Sequence, residues 1–128
     1  GGATHRMRLD DAILIKDNHL KLSKNIKKSI EISRSKYPNL MLEVEADNEQ
    51  QAIEIAKNGA DRVMLDNFSP DEATATIRKL REISDIEIEI SGGVTIENVA
   101  SYAKDADFIS LGSLTMSSLP VDFSLHVL

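Results

Sequence analysis

The sequence predicts an α/β chain on a parallel sheet, and three observations carry that prediction. Short apolar runs alternate with longer stretches of helical spacing, several helix starts carry recognisable caps, and charged or glycine-bearing residues fall where the strands end. Strands are expected at Ala12 to Lys16, Leu40 to Glu45, Arg62 to Asp66, Ile86 to Ser91 and Phe108 to Gly112, with a final extended piece at Val121 to Val127. Between them lie four helical segments. Leu22, Ile26 and Ile30 are spaced as one face of the first, Ile53 and Ala56 mark the second, Ala73, Ile77 and Leu80 the third, and Ile96 to Ala103 a shorter fourth. Ser69-Pro70-Asp71-Glu72 reads as a capping box with proline at the first helical position. Thr95 is a second cap, with Val94 and Val99 spaced as a staple, and Asn58-Gly59 closes the second helix.

Two architectures accept such units, a closed barrel and an open doubly wound sheet. No Gly-x-Gly-x-x-Gly follows a strand, so the dinucleotide-binding sheet has no support. A full barrel needs about 250 residues. With 128 residues and five or six strands, either a TIM-like barrel is partial here or the sheet is open.

Composition narrows the function. A net charge of −6 leaves no basic excess for a nucleic-acid backbone, so any anion site must be local. There is no cysteine, and no apolar stretch long enough to span a bilayer. A cytoplasmic protein with no membrane partner is expected. Opening on a glycine pair without methionine, the chain reads as a fragment or a processed product. The lysine-rich stretch from Lys21 to Lys36 has a narrow apolar face and no aromatic before Tyr37, which suits a solvated outer face.

In a barrel, chemistry collects where strands hand over to loops. Those positions are Lys16, Glu45, Asp66, Ser91-Gly92-Gly93 and Gly112-Ser113. Glycine turns let backbone N–H groups approach a phosphate, although a lone pair of glycines more often only permits a tight turn. A second glycine turn on the next strand favours the phosphate reading. Glu45 and Asp66 suit a hydrated magnesium ion, directly or through water, or the hydroxyls of a ribose. Strand alternation puts Glu43 with Glu45 on one face, and Glu87 with Glu89 and Ser91, so several acids line one side of the sheet. Unpaired burial would cost about several kcal/mol each, so they require cations or water. His5-Arg6 and Lys16-Asp17-Asn18-His19 supply four potential cations in a stretch without helical pattern. His5 and His19 lack the spacing of a zinc pair, and His126 is assigned to the surface.

The ordered strings Gly1-Gly2 with His5-Arg6, Leu14-Ile15-Lys16-Asp17-Asn18-His19, Glu43-Val44-Glu45, Met64-Leu65-Asp66-Asn67-Phe68, Ser91-Gly92-Gly93 and Leu111-Gly112-Ser113-Leu114-Thr115 resemble the carboxy-terminal part of the quinolinate phosphoribosyltransferases. The resemblance runs through essentially the whole chain. It implies residues 1–128 of a catalytic barrel without its amino-terminal domain and first strands, inactive alone and working as a homodimer or higher homo-oligomer. The implied reaction joins quinolinate to phosphoribosyl pyrophosphate with magnesium, releasing pyrophosphate and carbon dioxide and yielding nicotinate mononucleotide for NAD biosynthesis. Lys16, Glu45 and Asp66 would be catalytic, with His5, Arg6 and Lys16 clamping the quinolinate carboxylates. Glu45 and Asp66 would meet ribose and magnesium, and Ser91, Gly92, Gly93, Gly112 and Ser113 would hold the 5′-phosphate. Met116 stands where the family usually has histidine, and Ala3-Thr4 departs from its usual opening. A non-catalytic phosphate-binding relative, or another phosphate-binding barrel enzyme, is the alternative.

Overall fold

A computed structural model describes residues 2–23, 25–102, 104–116 and 120–126, the Lys21 side chain excepted. Five strands form one parallel sheet in the order β1-β2-β3-β4-β5. They are β1 (Ala12–Ile15), β2 (Met41–Ala46), β3 (Arg62–Asp66), β4 (Glu87–Ser91) and β5 (Phe108–Ile109). Between them run α1 (Asp17–Ser23), α2 (Ile26–Lys36), α3 (Glu49–Lys57), α4 (Pro70–Ile83) and α5 (Val99–Tyr102). Each strand lies beside its predecessor, and that order belongs to a winding barrel; a doubly wound sheet reverses direction part-way. The partial TIM-like barrel is therefore the architecture.

The period of two separates the faces. Leu42, Val44, Ala46, Val63, Leu65, Ile88 and Ile90 are fully buried against Ile30, Ala52, Ile55, Phe68, Ala73, Ile77 and Leu80 of the helical layer. On the opposite face the register aligns Leu14, Glu43, Arg62 and Glu87 in one row, and Glu45, Met64, Glu89 and Phe108 in the next. Asp66 stands beside Ser91 at the carboxyl end.

Helix boundaries follow their caps. Asn25 and Asn48 accept from the backbone N–H of Lys28 and Gln51, and Ser69 and Glu72 form the expected capping box. Thr95 and Asn98 cap reciprocally, with Val94 buried and Val99 packed on the core.

Several expectations are corrected. Leu22 is 86% exposed, because Asn25 starts a new helix and leaves Leu22 on α1. On α3 the buried face is Ala52 and Ile55, and Ile53 and Ala56 flank it. The fourth predicted helix reduces to Val99–Tyr102 with Ile96 exposed, and Ala103 lies outside the described residues. β5 ends at Ile109, after which Gly112–Leu114 form a 3-10 turn. Residues 121–126 pair with no strand among the described residues, leaving Val121, Phe123 and Leu125 exposed; Val127 lies outside those residues. A strand needs a neighbour, and the described sheet stops at β5. The outer face of α2 is solvated as expected, and His126 is exposed. Among the described residues no helix is long and apolar enough to cross a membrane.

A repeated device pins the amino ends of the strands. Arg34 of α2 donates to Leu40 O and Gly59 O and pairs with Asp61 at 2.6 Å, while Asp61 accepts from the Leu42 N–H at 2.7 Å. Arg81 of α4 does the same with Ile86 O, Asp105 O and Asp107, and Asp107 accepts from the Ile88 N–H at 2.7 Å. Burial opposes ionisation of Asp107, but Arg81 and the Ile88 N–H outweigh it and hold the carboxyl below its usual range. A depressed folded-state pKa gives stability that is present above the unfolded value of about 3.9 and is lost as pH falls through the folded one. In the whole protein, Asp107→Asn should therefore cost about 1 kcal/mol at neutral pH, discounted for partial exposure. Denaturant titration should show the gap to wild type closing near pH 3; a gap that widens in acid would reject the assignment.

Candidate active site

Two adjoining cavities open at the carboxyl ends of the strands. One, of about 470 Å³, is lined by His5, Arg6, Lys16, Glu45, Asp66 and Ser91, with Leu14 and Met64 among its apolar walls. The other, of about 550 Å³, is lined by His5, Ser91, Gly92, Gly93, Gly112 and Thr115. His5 and Ser91 belong to both. Nine of the ten expected site residues thus meet at one rim, brought there by the ends of β1 to β4, the turn after β5 and the segment before β1.

Ser113 is the exception. It lines neither cavity, and its Oγ is buried without a hydrogen-bond partner among the described residues. His19 also differs from expectation, because its Nδ1 accepts the Lys16 N–H at 3.1 Å and so serves the first turn of α1.

The middle of the rim carries the acids. Burial pushes the Glu45 carboxyl above its ordinary range, the neighbouring Asp66 charge adds to the push, and Lys16 opposes it. Two carboxylates close enough to repel, in a cavity with room for water, form a hard oxygen donor set that fits a magnesium ion retaining several waters. Asn67 supports one of them, donating from Nδ2 to Asp66 Oδ2 at 2.5 Å.

Asn67 also connects the acids to the glycine turn. It sits in the left-handed region at φ 57°, and its N–H donates to Ser91 O at 2.9 Å. Gly92 and Gly93 follow at φ 80° and 65°. A Cβ on Gly92 would meet the Asn67 backbone N at 2.7 Å as well as its side-chain amide. Gly92 is thus required both by its φ and by close approach. The far side of the turn is held by Asn98, whose Nδ2 donates to Gly93 O at 3.0 Å.

Beneath the rim lies a network that local pattern did not reveal. Arg62 pairs with Glu87 at 2.8 Å and with buried Glu89 at 3.1 Å, and its guanidinium lies 3.9 Å from the Phe108 ring centroid. Ser110 Oγ donates to the other Glu89 oxygen at 2.5 Å. Arg62 is therefore the cation that Glu87 and Glu89 require. Its signal was parity: Arg62 lies four residues before Asp66 on β3, hence on the same face.

Fold and rim together define the class, an α/β-barrel domain with cations, carboxylates and glycine turns gathered at its strand ends. The chain belongs to the quinolinate phosphoribosyl transferase family, matching that family's C-terminal domain over residues 1–126. It is 41% identical to a probable nicotinate-nucleotide pyrophosphorylase (carboxylating) from Archaeoglobus fulgidus, covering 100% of this chain and 50% of the relative. The Homo sapiens nicotinate-nucleotide pyrophosphorylase (carboxylating) is 37% identical, with 99% and 44% covered. The solved structure of NadC from Streptococcus pyogenes superposes with a TM-score of 0.86 at 36% identity, over 97% of this chain and 44% of that one. The chain spans about half the length of the curated relatives it matches.

The glycine turn offers a test that needs no ligand. Gly93→Ala meets open space and bears only the backbone cost of its φ, about 1 kcal/mol, whereas Gly92→Ala adds the collision with Asn67 and should cost about 3 kcal/mol. Denaturation midpoints of the two variants in the whole protein check this. Equal losses would mean that Asn67 yields freely.

Proposed function

We propose that the protein to which this barrel portion belongs transfers a phosphoribosyl group from phosphoribosyl pyrophosphate to quinolinate, giving nicotinate mononucleotide. One observation carries the reading: in a chain of net charge −6, the basic side chains His5, Arg6 and Lys16, two carboxylates and the glycine turn meet at a single rim. Quinolinate is a dianion, and His5, Arg6 and Lys16 are the local basic groups that would hold it. Arginine offers a two-pronged fork to a carboxylate, and lysine a compact charge. Glu45 and Asp66 would accept from the ribose hydroxyls and hold magnesium. Ser91, Gly92, Gly93 and Gly112 would receive the 5′-phosphate through hydroxyl and backbone donors.

Chemically, the pyridine nitrogen of quinolinate forms a bond to the anomeric carbon as the bond to pyrophosphate breaks. Holding both partners at the rim turns an encounter into a positioned reaction. Magnesium, when bound, stabilises the negative charge gathering on pyrophosphate. The ring nitrogen is then cationic. Loss of carbon dioxide from the adjacent carbon leaves an electron pair that this charge stabilises, and a proton from solvent completes the product. Further cations and assembly as a homodimer or higher homo-oligomer belong to the same proposal, because the described inner face is open beyond β1 and β5.

The assay is formation of nicotinate mononucleotide by the whole protein from quinolinate, phosphoribosyl pyrophosphate and magnesium. No turnover would support a non-catalytic relative instead. Lys16→Ala and Arg6→Ala should each lower kcat/KM by about a hundredfold with an unchanged melting temperature. Near-normal rates for both would refute the clamp.

A pH dependence follows from Glu45. Its carboxylate form is the one that accepts hydroxyls and holds magnesium, and its pKa is raised. Falling pH therefore protonates it earlier than an ordinary glutamate. The acid limb of kcat/KM for phosphoribosyl pyrophosphate should lie above about 4.3, the unperturbed value. A limb at or below that value contradicts the role.

A further inference from the structure

Glu43 is the buried acid that the proposed chemistry leaves unused. It stands in the middle strand positions of β2, 1% exposed, one row below Glu45 on the inward face. Its Oε2 lies 2.8 Å from His5 Nε2, and its Oε1 has no hydrogen-bond partner among the described residues. The neighbouring acid cannot substitute. Glu89 Oε2 is 3.9 Å from the same ring nitrogen, and its two oxygens are already taken by Arg62 and Ser110. Arg62 is likewise committed, to Glu87, Glu89 and the Phe108 ring.

His5 depends on this contact. Residues 2–10 belong to no helix or strand, and the other hydrogen bonds of that segment among the described residues are local ones around Arg8, Asp10 and Asp11. Among the described residues the bond to Glu43 is the one hydrogen bond tying that segment to the sheet. The dependence is mutual, because His5 is the hydrogen-bond partner that this buried carboxyl has among the described residues. Burial first, and then the Glu89 charge, hold the Glu43 carboxyl above its ordinary range, with His5 and Arg62 pulling the other way.

We propose that Glu43 is a positioning residue that holds His5 through Nε2, keeping the ring at the junction of the two cavities, where it faces the acceptor's carboxylates. The inference rests on the proposed assignment of His5 to the acceptor acid. Glu43 itself does not reach substrate; it acts through His5. It therefore sets the affinity for the acid and leaves the phosphoribosyl donor alone.

The test is steady-state kinetics on the whole protein for wild type, His5→Ala, Glu43→Gln and the double variant. Glu43→Gln keeps the shape and removes the charge. It should raise KM for quinolinate about tenfold, the value of one charge-assisted hydrogen bond, and leave KM for phosphoribosyl pyrophosphate within about twofold. In the His5→Ala background the same substitution should change KM for quinolinate no further. If His5→Ala raises that KM and Glu43→Gln does not, or if the two effects multiply, the inference fails while the proposed function stands. If neither variant alters it, the assignment of His5 fails and the inference falls with it. Should Glu43→Gln not fold, Glu43→Asp keeps the charge, loses the reach and is read the same way. The ring 15N resonances of His5 provide a readout independent of turnover. They should move in the Glu43 variant without ligand, and unchanged resonances would overturn the proposal.

Discussion

A carboxylate removed from water must find a cation or a donor, and the inward face of this sheet is arranged around that demand. Glu43, Glu45 and Glu89 all project from strand interiors where apolar side chains are the norm. Each meets the demand differently. Glu89 is closed off by Arg62 and Ser110, Glu43 leans on His5, and Glu45 stays at the cavity with Asp66 beside it and Lys16 nearby. The three acids thus differ in how far they are satisfied, from Glu89 with both oxygens taken, through Glu43 with one, to Glu45 with a second acid beside it. Of the three, Glu45 is the one that meets Asp66 and Lys16 at the cavity.

The opposite face carries the stability that makes such acids tolerable. Its core of Leu42, Val44, Val63, Leu65, Ile88 and Ile90 against α2, α3 and α4 contains no charged side chain. Packing there fixes strand spacing, and strand spacing aligns Glu43, Arg62 and Glu87 in register. The arginine–aspartate clamps hold the amino ends of the strands, away from the cavities. Asn67 then couples the middle of the rim to its glycine turn by touching Asp66, Ser91 and Gly92 at once.

Legibility in the sequence followed the range of each interaction. Period-two patterns around Glu43-Val44-Glu45, and caps such as Ser69 with Glu72, are local, so strands, helix starts and rim residues could be read directly. Leu22 falls off the predicted face because a new cap at Asn25 interrupts an otherwise continuous apolar spacing. The functions of Arg62, Glu43 and Ser110 depend on partners 21 to 38 residues away, which no local window contains. Ser113 shares its glycine turn with Gly112 yet turns away from the cavities, a rotation set by a 3-10 turn that spacing does not encode. The extended piece at 121–126 shows strand-like alternation without a strand partner, since alternation specifies a face and not a neighbour.

The paired clamps bear on how such a chain can change over time. Arg34 with Asp61 and Arg81 with Asp107 repeat one arrangement, each spanning two strands, with an aspartate nineteen residues beyond the amide it accepts from. The sheet is therefore fastened in two-strand modules at one end and reads out its chemistry at the other. Loops and rim side chains can drift in identity without loosening the fastening, and a two-strand module can be copied or exchanged with its fastening intact. Evolvability of the rim is, in this chain, a by-product of where its charges are anchored.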